Sequence, residues 1–125
     1  GDIAALRGAG VRLGVSADGY AVLARAWALW PSYVAMGTVY PTTSKPAGIP
    51  TLGVEGFARL RRMCPAAAVA IGGLTPERAR PLVAAGADGA AVISDLRDAP
   101  DPARRVALWK AVFREPDVAG NPSRV

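Results

Sequence analysis

Short apolar runs recur along the chain, and after each one apolar residues return at helical spacing, every three or four positions. Runs of this kind, rich in valine, isoleucine and alanine, predict strands that are buried on both faces. They lie at residues 11–16, 33–40, 66–71 and 89–93. The intervening periodicity predicts helices over residues 20–30, 52–64, 76–85 and 102–114. The chain is therefore predicted to alternate strand and helix.

The buried stripes of the first two helices follow from the same spacing. The first helix is expected to bury Tyr20, Leu23, Trp27 and Trp30, and the second Val54, Phe57, Leu60 and Met63. In the third helix Thr75 is predicted to be the N-cap, with Pro76 as the first helical residue and Gly86 as the glycine that ends it.

Successive strand–helix units with short connections predict an α/β fold with a parallel sheet and right-handed crossovers. A length of 125 residues favours an open, doubly wound sheet, because a (β/α)8 TIM barrel needs roughly 200 to 250 residues. The polar residues favour the barrel, because Ser16, residues 42–45, the pair Gly72-Gly73 and Ser94 all follow strand ends and would meet at one mouth. From the pattern alone, both architectures remain open for residues 1–115, and residues 116–125 are predicted to be a flexible tail.

Composition narrows the class of protein. The hydrophobic fraction of 51% predicts a folded core, and no apolar run reaches the roughly 18 to 20 residues of a membrane span. The N-terminus lacks the pattern of a signal peptide, and the lone Cys64 cannot form an internal disulfide, so we expect a cytoplasmic protein.

The chain contains no histidine, which excludes imidazole general bases, histidine–zinc sites and hydrolases built on a histidine partner. The net charge of +5 leaves nucleic-acid binding as one hypothesis, but most arginines fall on predicted helices, where a solvated face is expected, and no aromatic residues interleave with them. The basic balance favours a small anionic ligand.

The loop after the second strand carries the candidate chemistry. Thr42, Thr43 and Ser44 precede Lys45, which is one of only two lysines in the chain. A compact ammonium among hydroxyls suits a phosphate, although an isolated loop of this composition is also typical of a solvated turn. The pair Gly72-Gly73 before a capped helix predicts a second anion-binding element, to which Ser94 would add a hydroxyl.

Three segments, LGVSADGY, YVAMGTVYPTTSKP and AVAIGGLTPERARPLVAAGADGAAVIS, carry a resemblance to a known family. They closely resemble the C-terminal half of the thiamine-phosphate synthases, whose Pro-Thr-x-Thr-Lys pattern is matched by PTTSKP with serine in place of threonine. The resemblance implies that residues 1–115 are the C-terminal four units of a (β/α)8 TIM barrel. It also implies a transferase that joins 4-amino-2-methyl-5-hydroxymethylpyrimidine diphosphate to a thiazole phosphate. Thiamine monophosphate and pyrophosphate would be the products.

The family pattern also implies roles for individual residues. Lys45 would be catalytic and would stabilise the departing pyrophosphate, and Ser16 would contact the diphosphate. The thiazole phosphate would be held by Thr42, Thr43, Ser44, Gly73, Ile93 and Ser94. Mg²⁺ is the implied cofactor, with Asp2 as a candidate ligand if preceding residues complete a Gly-Gln-x-Asp segment.

Two departures from the family matter. Asp18 stands where a histidine is common, and the related thiazole tautomerases use that histidine, so the chain is not expected to be a tautomerase. The first four units of the barrel, with further diphosphate and magnesium ligands, have no counterpart here. We expect either a longer polypeptide or pairing of two copies, and no activity from this chain alone. The alternative is a non-catalytic phosphate-binding module or relict.

Overall fold

The computed structural model describes residues 1–114, and the predicted tail at residues 116–125 lies outside them. The strands are β1 (Gly14–Ala17), β2 (Tyr33–Met36), β3 (Ala67–Ile71) and β4 (Gly89–Ala91). The helices are α1 (Asp2–Gly8), α2 (Tyr20–Trp27), α3 (Gly53–Arg62), α4 (Pro76–Ala84), α5 (Ser94–Arg97) and α6 (Pro102–Arg114). The alternation predicted from the apolar pattern is present, while α1 and the short α5 were not predicted.

The four strands form one parallel sheet in the order β1-β2-β3-β4. Gly14, Tyr33 and Ala67 lie side by side at the amino edge, so the first residues of β1, β2 and β3 are in register. A doubly wound sheet requires the strand order to reverse at a switch point, whereas this order runs in one direction, as in a barrel. The fold is therefore α/β with the arrangement of half a TIM barrel.

The two faces of the sheet differ in burial. One face carries Val34, Met36, Ala68 and Ala70, all at most 1% exposed, and these side chains form the core with the helices. Four helices contribute buried residues: Leu23 and Ala26 from α2, Phe57 and Leu60 from α3, Pro76, Ala79 and Leu82 from α4, and Trp109 and Val112 from α6. The opposite face, which alternates with the first, stays exposed or half-buried, and among the described residues no helix covers it.

Several predicted boundaries and stripes were wrong. β1 begins at Gly14, so Ser16 lies inside the strand and not beyond its end. β2 ends at Met36, four residues before the predicted end. Met63 follows the last turn of α3 and is 65% exposed, and Trp30 follows α2 with a positive φ of 51° and is 64% exposed. Met63 and Trp30 leave the buried stripe because their helices end before the periodic pattern does. Tyr20, the first residue of α2, was also expected to be buried and is 50% exposed.

The predicted ends of α4 are confirmed. The Thr75 hydroxyl accepts a hydrogen bond from the Arg78 amide at 3.2 Å, and Pro76 occupies the first turn. Gly86 has a φ of +110°, the left-handed conformation that favours glycine just after a helix. Among the helices of residues 1–114, none has the length and apolar character needed to cross a membrane.

Leu82→Ala tests the helix-covered face. Leu82 is fully buried, so we expect the substitution to lower the free energy of unfolding by roughly 2–5 kcal/mol, since a cavity adds to the lost burial. Leu108→Ala, on α6 and 45% exposed, is the matched control and should change that free energy by no more than about 0.5 kcal/mol. Urea denaturation of both variants measures the difference, and equal losses would contradict this account of the core.

Candidate active site

A cavity of about 150 Å³ opens at the carboxyl edge of the sheet, where β2, β3 and β4 end. Its lining includes six residues predicted from the sequence: Thr42, Ser44, Lys45, Gly73, Ile93 and Ser94. The other lining residues are Thr38, Ile71, Gly72, Leu74, Ala91 and Val92. The structure thus brings hydroxyls, a lysine and glycine backbone from three successive loops around one space.

The loop after β2 is fixed at both ends. The Leu52 amide donates to the Thr38 carbonyl at 2.8 Å, and the Gly53 amide donates to the Val39 carbonyl at 2.9 Å. Within the loop, the Ser44 amide donates to the Thr42 hydroxyl at 3.2 Å. The hydroxyl-rich segment is therefore a closed loop whose base is part of the backbone network.

The loop after β3 requires glycine at two successive positions. Gly72 and Gly73 have φ values of +109° and +63°, in the region that favours glycine. A Cβ on Gly72 would lie 2.6 Å from the Thr38 side chain, and one on Gly73 would overlap the Pro41 carbonyl oxygen. The two glycines let this loop approach the loop after β2 closely.

Glu77 lies in the first turn of α4, where its carboxylate is exposed. A backbone hydrogen bond at Glu77 itself lowers the pKa of the side chain below its ordinary value, and a hydrogen bond with Thr75 lowers it further. The start of α4 thus stabilises the negative charge of the Glu77 carboxylate, as a helix N-terminus does.

Asp95 anchors the loop that carries Ser94. Its carboxylate, 7% exposed, accepts two hydrogen bonds from Arg105, at 2.7 and 3.0 Å, and one from the Trp109 indole at 2.7 Å. The hydrogen bonds from Arg105 lower the pKa of Asp95, and the bond from Trp109 adds to that effect. Ser94 is consequently attached, through its neighbour, to α6.

The remaining predicted residues lie outside the 150 Å³ cavity. Thr43 lines two adjoining spaces, one of about 380 Å³ beneath its own loop and one of about 290 Å³ beside Arg78. Ser16 is exposed on the open face of the sheet, in register with Ala35, inside the strand where the sequence had placed it beyond the end. Asp2 is exposed in the first turn of α1.

The described residues do not by themselves fit Mg²⁺. A magnesium site takes oxygen ligands in octahedral geometry, and residues 1–114 contain no group of three acidic, cysteine or histidine residues placed to hold a metal. Asp2 is an exposed carboxylate outside such a group. We therefore derive no step through a metal from this part of the chain.

Two residues near the site, Thr38 and Arg78, were missed from the sequence. Thr38 is 7% exposed and lines two of the cavities, but it was hidden in an apolar run. Arg78 was assigned to a solvated helix face, yet its guanidinium lies 5.2 Å from the centre of the Tyr40 ring and donates to the Gly73 carbonyl at 2.9 Å. Its place in the first turn after a glycine pair was the signal that could have identified it.

A parallel strand–helix sheet whose strand order runs in one direction, with a cavity lined by hydroxyl and glycine residues at its carboxyl edge, defines a chain of the (β/α)8-barrel class. Comparison with known proteins identifies the family within that class. The family model for thiamine monophosphate synthase matches residues 1–96, and the chain belongs to this family.

Relatives and a solved structure agree with that membership. A thiamine-phosphate synthase from Rhizobium etli is 45% identical over 111 residues, covering 88% of this chain and 54% of the relative. One from Neisseria meningitidis serogroup B is 36% identical, covering 90% and 55%. The structure of a thiamine phosphate pyrophosphorylase from Pyrococcus furiosus is 26% identical with a TM-score of 0.75, covering 89% of this chain and 53% of that one. The chain spans about half the length of these relatives.

Asp95→Asn tests the anchor of the Ser94 loop. Since the folded-state pKa of Asp95 is lowered, its ionisation stabilises the fold above the unfolded pKa of about 3.9, and this stabilisation is lost as the pH falls through the folded-state pKa. We expect the substitution to lower the midpoint of urea unfolding at pH 7. The difference in midpoint between the variant and the unaltered chain should shrink below about pH 4.

Asp18→Asn is the control for this measurement, because Asp18 is exposed and outside the Asp95 anchor. It should leave the midpoint at pH 7 nearly unchanged. If the difference in midpoint between Asp95→Asn and the unaltered chain stayed constant from pH 7 down to pH 3, the ionised carboxylate of Asp95 would not be the source of the stability.

Proposed function

We propose that this chain carries the phosphate-binding half of a thiamine-phosphate synthase. In the proposed reaction the bond between the pyrimidine methylene carbon and the diphosphate oxygen breaks, and its electron pair leaves with pyrophosphate. The thiazole nitrogen then gives its lone pair to the resulting cation, which forms the carbon–nitrogen bond of thiamine monophosphate. No proton has to move to a histidine in this sequence of steps, which agrees with a chain that has none.

The observation that carries the proposal is the 150 Å³ cavity at the carboxyl edge. It combines the Thr42 and Ser44 side chains with the backbone of Gly73 and the Ile93-Ser94 segment. Hydroxyls and backbone amides beside a helix start are the groups that bind phosphate in barrel mouths. We assign the phosphate of the thiazole substrate to this cavity, and we place Thr43 at its rim.

Lys45 would act on the other substrate. It is exposed and lines both the 150 Å³ cavity and the 380 Å³ space beneath its loop, so its ammonium can reach beyond the phosphate that the hydroxyls hold. Negative charge grows on the leaving diphosphate oxygen in the transition state, and a positioned ammonium stabilises that charge more than it stabilises the bound substrate.

We further propose that the reaction needs strand–helix units beyond those described. β1 and β4 are the edges of the four-stranded sheet, and within residues 1–114 no helix covers one of its faces, so four more units would complete the barrel and cover that face. Mg²⁺ would take most of its ligands from those units, with Asp2 as a candidate ligand of this chain. Ser16 would contact the diphosphate. The alternative source of the units is a second copy of this chain. A cytoplasmic location stays a prediction.

Complementation tests this proposal directly. We expect the purified chain, given both substrates and Mg²⁺, to release no pyrophosphate above background. Addition of the part of the Rhizobium etli relative that this chain does not cover should produce release, measured by an enzyme-coupled pyrophosphate assay. Release by the chain alone would instead support two copies as the source of the missing units.

Lys45→Ala tests the assigned role of the ammonium in the complemented protein. We expect kcat to fall roughly 10²–10³-fold, because a group that stabilises the transition state has been removed, while thiazole phosphate still binds at saturating concentration. Lys110→Ala, which removes an exposed lysine from α6, is the matched control and should keep kcat unchanged. A kcat that is equal in the two variants would exclude Lys45 from the chemistry.

The non-catalytic phosphate-binding module remains the second candidate, and one observation favours it. Four strands and their loops already bring the hydroxyl-rich loop, the glycine loop and Ser94 around the 150 Å³ cavity, and these are the groups that would hold a phosphate. This candidate predicts that the chain binds thiazole phosphate but that the complemented protein still releases no pyrophosphate.

A further inference from the structure

Arg78 makes three contacts that join separate parts of the candidate site. Its guanidinium Nη1 donates to the Gly73 carbonyl at 2.9 Å, and the guanidinium carbon lies 5.2 Å from the centre of the Tyr40 ring. The Tyr40 hydroxyl in turn donates to the Arg78 carbonyl at 3.0 Å. One residue of α4 therefore holds the loop after β3 and the start of the loop after β2.

The contact with Gly73 determines the orientation of a peptide plane. In a trans peptide the N–H of one residue points away from the carbonyl of the residue before it. With the Gly73 carbonyl held by Arg78, the Leu74 amide must point away from the guanidinium. The same rule applies one position earlier, because the Gly72 carbonyl accepts from the Tyr40 amide at 3.1 Å and so directs the Gly73 amide away from that loop.

Gly73 and Leu74 lie between two adjoining spaces, because both residues line the 150 Å³ cavity and also the 290 Å³ space. Arg78 lines only the 290 Å³ space, and Gly72 lines only the 150 Å³ cavity. Arg78 therefore contacts the loop from the 290 Å³ space, and the Leu74 amide, which points away from the guanidinium, belongs to a residue that also lines the cavity of the proposed phosphate. The guanidinium donates to a backbone carbonyl, a contact that holds the loop and that direct binding of phosphate would not require.

We propose that Arg78 is a positioning residue, which fixes the peptide plane between Gly73 and Leu74 so that the Leu74 amide can donate to a phosphate in the 150 Å³ cavity. This inference rests on the proposed function of that cavity. It assigns Arg78 a geometric role that depends on its hydrogen bond, and Tyr40 a supporting role that depends on its hydroxyl and ring.

The test is a titration of the 125-residue chain with inorganic phosphate, followed by the amide signals of Leu74 and Ser94 in ¹H–¹⁵N correlation spectra. In the unaltered chain both signals should shift and saturate together. In Arg78→Ala we expect the Leu74 shift on saturation to be largely lost while the Ser94 shift persists, with phosphate bound about fivefold more weakly, as for one lost hydrogen bond. Tyr40→Phe keeps the ring and should weaken binding less than Arg78→Ala does.

Arg62→Ala is the charge-matched control. Arg62 is exposed at the end of α3, which starts at the carboxyl edge of the sheet and so ends at the opposite edge. It should bind phosphate like the unaltered chain. Because a positional effect is not screened by salt, the ratio of affinities between the unaltered chain and Arg78→Ala should be the same at about 50 and about 300 mM NaCl.

The possible results distinguish a failure of the positioning role of Arg78 from a failure of the proposed phosphate site. If the unaltered chain shows no saturable shift, the phosphate site itself is wrong, and the role of Arg78 with it. If the unaltered chain binds and Arg78→Ala binds equally well with the same Leu74 shift, only the positioning role is wrong. An affinity ratio that falls as salt is added would assign Arg78 as a direct charged ligand and overturn the positioning role. Loss of dispersed signals in Arg78→Ala would move the test to Tyr40→Phe, for which unchanged phosphate affinity and an unchanged Leu74 shift overturn the proposal.

Discussion

The candidate site depends on backbone pairing between the segments after β2 and β3, beyond the ends of the strands. The Val39 amide donates to the Ile71 carbonyl at 2.9 Å, and the Tyr40 amide donates to the Gly72 carbonyl at 3.1 Å. This pairing brings the hydroxyl-rich loop against the glycine loop, so close that side chains are excluded at Gly72 and Gly73. The distance between these two loops is therefore set by hydrogen bonds of the main chain.

The sequence predicted the order of the elements because the apolar pattern reflects burial, and burial here follows one sheet face and one side of each helix. Element ends were harder, since local hydrogen bonds decide them. Residues 37–40 are as apolar as a strand, yet they leave the regular ladder to form the base of a loop. The apolar pattern could not distinguish a barrel from a doubly wound sheet, because the same apolar runs suit the strands of both. The polar residues at strand ends were what favoured the barrel.

Candidate site residues were predictable where the chemistry is visible in one segment, as in residues 42–45 or the glycine pair. They were missed where the role depends on contacts between distant elements. Arg78 is like any other helical arginine until its hydrogen bond to Gly73 is known. Asp95 likewise gains its place in the fold only from Arg105 and Trp109, ten and fourteen residues further along the chain. Spacing in sequence carries no information about such partners.

The proposed site has two parts within the described residues. One is the 150 Å³ cavity, whose loops are held by helices, and the other is the exposed Lys45. Around the 150 Å³ cavity, the glycine loop is held by α4 and the Ser94 loop by α6, so a phosphate would meet groups already in place. Such preorganisation lowers the entropy cost of binding. Lys45 is exposed and lines two spaces, and in the proposed reaction the breaking bond would lie near its ammonium. Because desolvation strengthens the effect of an ammonium on a leaving group, this part of the proposed site would gain most from units that covered it. Under the proposed function, the described half-barrel would thus supply the phosphate site, while the transfer itself would depend on the further units.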